Sequence, residues 1–203
     1  MAHTPFSELL QQDLGTLEKN LRTLLDPHLS PSEHLSLLNV ACGRGDETGV
    51  LAKVLRDKAR STHLQGLDIR AAEIGQANSR WKKELAGLDP KATADFITHR
   101  GDRLLDLSEI SPDLAFLRHQ NFWNDKPVWT KIFDQTLERL NEDGLLVITS
   151  YFDQEHELAV EALKKLGAVQ VGSIANPNSR ALSDAPGKSV DKHLAVFKKS
   201  STA

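Results

Sequence analysis

The sequence predicts an α/β fold in which helices cover both faces of a mainly parallel sheet. From residue 35 onward, short apolar segments alternate with amphipathic helical segments, which is the pattern of successive β-α units. The first of these segments, 35–40, runs into a glycine-containing turn that opens a helix. The last two are joined by a polar stretch without a helical period, which favours an antiparallel pair.

Residues 1–30 are predicted to form helix before the sheet begins. Their apolar side chains recur at spacings of three and four, which places them on one face of a helix. Gly15 weakens the middle of this segment enough to divide it into two pieces. We expect the segment to pack against a core that spans 35–198, within a single domain of 1–203.

Each further element follows from a local pattern of apolar residues. Short apolar runs bounded by turn-forming residues predict strands at 35–40, 63–67, 95–99, 113–117, 145–150, 168–174 and 193–198. Helical periodicity between the strands predicts helices at 46–56, 71–85, 128–140 and 155–166. Because the polar stretch 175–191 joins the last two strands, we expect them to pair as a hairpin at a sheet edge.

Composition and charge argue against several classes of function. The net charge of -3 and the pI of about 6.2 give no general attraction to phosphate backbones or anionic membranes, so nucleic acid is not an expected partner. No uninterrupted apolar run is as long as the about 18 residues needed to span a bilayer. The first residues also lack the basic start and short apolar run of a secretory signal. A single cysteine excludes an internal disulfide, so the cytoplasm is the expected compartment. The histidines show no paired ligand spacing, and no metal site is predicted.

The turn after the first strand is the strongest candidate for a ligand site. Glycines such as Gly43 and Gly45 let the backbone adopt positive φ and approach a ligand closely. Asp68 ends the second strand, where a carboxylate accepts hydrogen bonds from both hydroxyls of a ribose. Asp102 follows the third strand, where it is placed to accept a hydrogen bond from an adenine amine. Taken singly, the turn has a simpler explanation as a tight connection, and each aspartate has one as a cap. Their order at the ends of three successive strands instead favours a site that binds one nucleoside.

These motifs together resemble the class I S-adenosylmethionine-dependent methyltransferases. The resemblance covers about 35–198 and includes two further features: Gly101 before Asp102, and the turn 141–144 before the fifth strand. It implies a Rossmann-like three-layer sandwich with a seven-stranded sheet whose last strand is antiparallel. It also implies an enzyme that uses S-adenosylmethionine as its cofactor.

The resemblance assigns a part of the cofactor to each motif. The glycine-rich turn would cradle the methionine part, the acid after strand two the ribose, and the acid after strand three the adenine amine. Two residues depart from the family pattern: Asn39 replaces an acid and Ala41 replaces the first glycine. Cys42 is expected to fill space within the turn. The cofactor-binding residues are thus expected to be Asn39, Ala41, Cys42, Gly43, Gly45, Asp68, Ile69, Asp102, Arg103 and Arg118.

The acceptor side is expected beyond strands four and five. The segment 118–123 after strand four is rich in polar and aromatic groups, and the imidazole of His119 is a side chain suited to removing a proton from an acceptor. A histidine that only binds backbone is the alternative. Tyr151 follows strand five and is the second catalytic candidate, since an aromatic face attracts a sulfonium or another cation.

The sequence leaves the acceptor and the oligomeric state open. A small molecule is the expected acceptor, and a protein group is the other candidate. Two other functions stay open: a catalytically silent methyltransferase-like binding domain, and an NAD(P)-dependent oxidoreductase, for which Gly43, Gly45 and Gly49 offer a related glycine spacing.

Overall fold

The computed structural model describes residues 5–108 and 111–199. Residues 1–4 of the predicted helical segment lie outside the described residues. The helices are α1 Pro5–Leu25, α2 Thr48–Arg56, α3 Ala71–Leu88, α4 Lys126–Arg139 and α5 Asp153–Lys165, with a short 3-10 helix at Gly101–Asp106. The strands are β1 Ser32–Val40, β2 Ala59–Asp68, β3 Ala92–Thr98, β4 Leu114–Leu117, β5 Leu145–Ser150, β6 Val169–Ala175 and β7 His193–Lys198.

The strands form one seven-stranded sheet in the order β3-β2-β1-β4-β5-β7-β6. The first five strands are parallel, and β7 is antiparallel to both β5 and β6. The predicted antiparallel pair is therefore confirmed, but only β6 lies at the edge. Burial explains this order: Leu194 to Phe197 of β7 are buried, whereas the outermost strand β6 is half-buried or exposed throughout.

Side chains of the central strands alternate between two apolar layers, as a sheet covered on both faces requires. In β5, Leu145 and Val147 face α1, α2 and α3, while Leu146 and Ile148 face α4 and α5. The other central strands, β1, β4 and β7, alternate in the same way. The molecule therefore has three layers, as predicted.

Two local expectations were wrong, and one element was not predicted. The segment with Gly15 is one continuous helix, α1, because Leu14, Leu17 and Leu21 on one side of it are buried against the core. Strand β2 starts at Ala59 because pairing with β1 extends through its polar first residues. The 3-10 helix after β3 has no apolar period and was not predicted.

Candidate functional site

The main candidate cleft lies where the chain leaves β1 and β4. These strands are neighbours in the sheet, but β1 leads to α2 on one face and β4 leads to α4 on the other. A crevice opens at the carboxyl ends of two such strands. Its volume is about 460 Å³, and its lining consists of Ala41, Cys42, Gly43, Arg44, Asp46, Glu47, Arg70, Glu73, Arg118 and His119.

The turn after β1 has an unusual backbone. Ala41, Gly43 and Gly45 have φ values of 58°, 55° and 64°, all in the left-handed region. A Cβ on Gly45 would lie 2.8 Å from the Thr48 hydroxyl oxygen, so glycine is required there for space as well. Ala41 carries a Cβ in the same conformation, at a cost of about 1–2 kcal/mol. The turn that sequence reasoning singled out is thus held in a strained conformation beside the cleft.

Helix α3 holds the turn in place through Trp81. The indole Nε1–H of Trp81 donates to the carbonyl oxygen of Gly45 at 2.8 Å, and the ring is almost fully buried. Cys42 is also buried, and a Cβ on Gly66 would lie 2.9 Å from its sulfur. Burial raises the pKa of the Cys42 thiol, so the thiol stays protonated at neutral pH. This placement agrees with a space-filling role for the cysteine.

Asp68 joins the turn after β1 to the end of β2. Its carboxylate accepts from the backbone N–H of Gly43 at 2.9 Å, and from the backbone N–H and the guanidinium of Arg70 at 2.9 Å each. Burial alone would raise the pKa of Asp68, but these bonds hold it below its usual value. The Arg70 side chain therefore binds the same Asp68 carboxylate that the sequence analysis assigns to the ribose.

Asp102 and Ile69 lie in a second cleft, which adjoins the first at Ala41. Asp102 pairs with the guanidinium of Arg100 at 2.7 and 2.9 Å, and this pairing lowers its pKa. The Ile69 side chain is 68% exposed. The cleft measures about 310 Å³ and is lined by Val40, Ala41, Leu67, Asp68, Ile69, His99, Arg100, Gly101, Asp102, Asp125, Val128, Trp129 and Ile132.

Arg103 does not line the cleft that holds Asp102. It pairs with Asp106 through its Nε at 2.7 Å and borders a neighbouring hollow of about 340 Å³. Ile69 and Arg100 belong to both spaces. Arg103, a cofactor-binding candidate from the sequence, therefore lines neither of the two clefts that hold most of the other candidates.

Asn39 is buried and binds the carboxylate of Glu47, the residue before α2. Its side-chain amide donates to Oε1 of Glu47 at 2.5 Å. The second carboxylate oxygen of Glu47 lies 3.7 Å from a guanidinium nitrogen of Arg118. An acidic group is therefore present beside the turn, although position 39 itself is uncharged.

Arg118 and His119 follow β4 and contact Asp191, which precedes β7. The Arg118 guanidinium binds the Asp191 carboxylate with its Nη2 at 2.7 Å and its Nε at 3.2 Å. Burial alone would raise the pKa of Asp191, but the positive charge of Arg118 and the contact with His119 hold it well below its usual range. Asp191 reaches this site because β7 runs antiparallel, so its first residue lies beside the last residue of β5.

His119 is held on several sides. Its Nε2 lies 2.9 Å from Oδ1 of Asp191 and 3.2 Å from the Asp191 amide nitrogen, so the tautomer decides whether it donates or accepts. Its backbone N–H donates to the Thr149 hydroxyl at 2.8 Å, and its φ is 53°. The ring stacks on Tyr151 with centroids 4.0 Å apart, and burial raises the pKa of Tyr151. The two catalytic candidates thus lie in direct contact.

Further aromatic side chains, Phe152 and Trp123, lie close to Tyr151. Phe152 packs edge-on against Trp123, with ring centroids 5.8 Å apart. The ammonium of Lys188 lies 5.7 Å from the Tyr151 ring and 5.8 Å from the Phe152 ring. These aromatic faces therefore already attract a cation of the chain itself.

Sequence reasoning missed several residues of the site. Arg70 and Arg100 each lie two positions from a candidate aspartate, and that spacing was the available signal. Glu47 stands in the first turn of a predicted helix, which gave it an ordinary explanation. Asp191 lies in a polar loop far along the chain from Arg118, and no local pattern identifies it.

Two absences concern the described part of the chain alone. Within residues 5–108 and 111–199, no group of three or more histidine, cysteine, aspartate or glutamate side chains is placed to hold a metal ion. None of the helices described there is long and apolar enough to cross a membrane.

Comparison with known proteins gives a match at the level of structure. No protein-family model matches the chain, and no curated protein matches its sequence. A methyltransferase structure from Methanosarcina mazei, described as S-adenosylmethionine-dependent, aligns over 87% of this chain and 96% of its own, with 15% identity and a TM-score of 0.67. Another, from Clostridium acetobutylicum, aligns over 94% and 92% of the two chains, with 11% identity and a TM-score of 0.64.

A third structure has a more specific description. It is a precorrin-6y C5,15-methyltransferase from Geobacter metallireducens, which aligns over 96% of this chain and 88% of its own, with 15% identity and a TM-score of 0.58. The strand order and the antiparallel β7 agree with the fold that the resemblance implied. The chain has the fold of the class I S-adenosylmethionine-dependent methyltransferases.

Proposed function

We propose that this protein transfers a methyl group from S-adenosylmethionine to an acceptor. The observation that carries the proposal is the pair of adjoining clefts at the carboxyl ends of β1 to β4, within a methyltransferase fold. The first cleft borders the left-handed turn, and the second combines an exposed apolar side chain, Ile69, with the Asp102 carboxylate. A nucleoside joined to a polar tail matches this division into two spaces.

The residues present fit this cofactor. The turn from Ala41 to Gly45 would border the methionine part, Asp68 would accept from the ribose hydroxyls, and Ile69 and Asp102 would contact the adenine. When bound, S-adenosylmethionine supplies a methyl group that its sulfonium makes electrophilic. The protein therefore needs mainly to orient the acceptor and to exclude water.

His119 and Tyr151 form the acceptor side of the proposal. His119 borders the first cleft, and its Nε2 is engaged by Asp191, which orients the ring. A neutral imidazole in this place accepts a proton from a hydroxyl or amine acceptor. The stacked Tyr151 ring limits rotation of the imidazole. We propose a small-molecule acceptor, because the net charge of -3 offers no general attraction to nucleic acid.

Isothermal titration with S-adenosylmethionine, S-adenosylhomocysteine and NAD(P) tests the cofactor. We expect binding of the two sulfur nucleosides and none of NAD(P). Tight binding of NAD(P) alone would overturn the proposal in favour of an oxidoreductase. Binding of the sulfur nucleosides without methylation of any compound in an acceptor screen would favour the silent binding domain.

Replacing Arg70 by alanine is expected to increase the affinity for S-adenosylhomocysteine. The Arg70 guanidinium pairs with Asp68 at 2.9 Å, and this pairing competes with a ribose for the carboxylate. Because the Arg70 side chain is 58% exposed, the pair is worth at most about 1 kcal/mol, or about fivefold in the dissociation constant. Titration of both proteins measures the change, and Arg60→Ala, an exposed change in β2 outside both clefts, is the control. Weaker binding by Arg70→Ala would show that Arg70 is itself a ligand of the cofactor.

A further inference from the structure

We infer that Glu47 and Arg118 together recognise the amino-acid end of the cofactor. This inference rests on the proposed function and assigns a residue pair to one part of the ligand. That end carries an ammonium and a carboxylate on the same carbon atom. A site that binds both groups requires an anion and a cation side by side.

Glu47 has one carboxylate oxygen available to a ligand. Oε1 accepts from the Asn39 amide at 2.5 Å, whereas Oε2 makes no hydrogen bond with any residue the structure describes. The side chain borders the first cleft and is only 6% exposed. A buried carboxylate oxygen favours a hydrogen-bonding partner, and an ammonium is the strongest donor for it.

The guanidinium of Arg118 lies beside this available oxygen of Glu47. Its Nε and Nη2 bind Asp191, and its Nη1 lies 3.7 Å from Oε2 of Glu47 without a hydrogen bond between them. Arg118 also borders the first cleft. The two opposite charges are therefore adjacent, oriented by Asn39 and Asp191, and neither is fully neutralised by the other.

This arrangement explains how the chain works with an amide at position 39. Asn39 carries no charge, and it is not among the described residues that line the first cleft. It acts as a positioning residue, because its amide orients the Glu47 carboxylate. The negative charge at this end of the site then comes from Glu47, the residue before α2, rather than from β1.

The test compares three ligands that differ at the amino-acid end. S-adenosylhomocysteine carries both charges there, decarboxylated S-adenosylmethionine keeps the ammonium alone, and 5′-deoxy-5′-methylthioadenosine has neither. We expect Glu47→Gln to weaken the binding of the first two by about tenfold to a hundredfold, and to leave that of the third unchanged. Glu161→Gln, the same change on the exposed face of α5 and outside both clefts, is the matched control and should alter none of the three.

The outcomes separate this inference from the proposed function. Equal losses for all three ligands in Glu47→Gln would overturn the inference alone, since Glu47 would then shape the turn. If the unaltered protein bound none of the three ligands, the proposed function would fail and the inference with it. Should Glu47→Gln not fold, the unaltered protein decides: S-adenosylhomocysteine must bind more tightly than the methylthioadenosine, and equal affinities would overturn the inference.

Discussion

Replacing Asp191 by alanine is expected to lower the free energy of unfolding by about 3–5 kcal/mol. Asp191 is fully buried and binds the guanidinium of Arg118 at 2.7 Å. Without it, the cation of Arg118 stays in the interior with only Glu47 nearby, at 3.7 Å. Urea denaturation followed by circular dichroism measures the loss. Asp184→Ala, an exposed change in the same loop, should cost less than about 0.5 kcal/mol.

A double variant distinguishes the charge from the space it fills. Combining Arg118→Met with Asp191→Leu removes both charges and keeps apolar volume, so most of the lost stability should return. A double variant as unstable as Asp191→Ala would contradict the unpaired cation as the cause. It would point instead to the backbone at Asp191, whose φ is 47°.

The pH dependence of the Asp191→Ala effect has a definite sign. The folded chain holds the pKa of Asp191 below its unfolded value, so the carboxylate contributes stability above that unfolded value and loses it as the pH falls. The difference between the parent and Asp191→Ala should shrink as the pH falls below about pH 4.

Replacing Asp68 by alanine is expected to weaken cofactor binding by about a hundredfold. Two charge-assisted hydrogen bonds from a ribose are worth about 3 kcal/mol together, which corresponds to that factor. The loss should be equal for S-adenosylhomocysteine and for methylthioadenosine, because both carry the ribose. This equality distinguishes Asp68→Ala from Glu47→Gln.

The Asp68 experiment needs a control for folding, because its carboxylate also accepts from the N–H of Gly43 at 2.9 Å. Thermal denaturation should show Asp68→Ala still folded at the temperature of the titration. Asp95→Asn, in the neighbouring strand β3 and outside the two clefts, should leave the affinity unchanged. Unchanged affinity in Asp68→Ala would place the ribose elsewhere.

The sheet was predictable because its signal is local. Apolar runs such as 145–150 and 193–198 are buried on both faces, so their ends agree with strands β5 and β7. The turn at Gly43 and Gly45 was predictable for the same reason, since only a few adjacent residues create it. The position of each strand within the sheet was harder to predict from the sequence, because it depends on how much of each strand face other elements cover.

The charge network was not predictable because its members are distant in sequence. Asp191 meets Arg118 only after β7 pairs with β5. Glu47 meets Asn39 only once the turn adopts its left-handed backbone. Such contacts depend on three-dimensional packing, whereas sequence patterns report on neighbours along the chain.

The insertion of β7 between β5 and β6 also sets an order of events on the ribosome. Synthesis makes β5 and β6 before β7, so both strands wait without their shared partner. Arg118 emerges well before Asp191 and has no counter-charge from it during this interval. The sheet and the charged site are therefore completed by the same late step. A chain without β7 would lack both the shared partner of β5 and β6 and the strand pairing that places Asp191 beside Arg118.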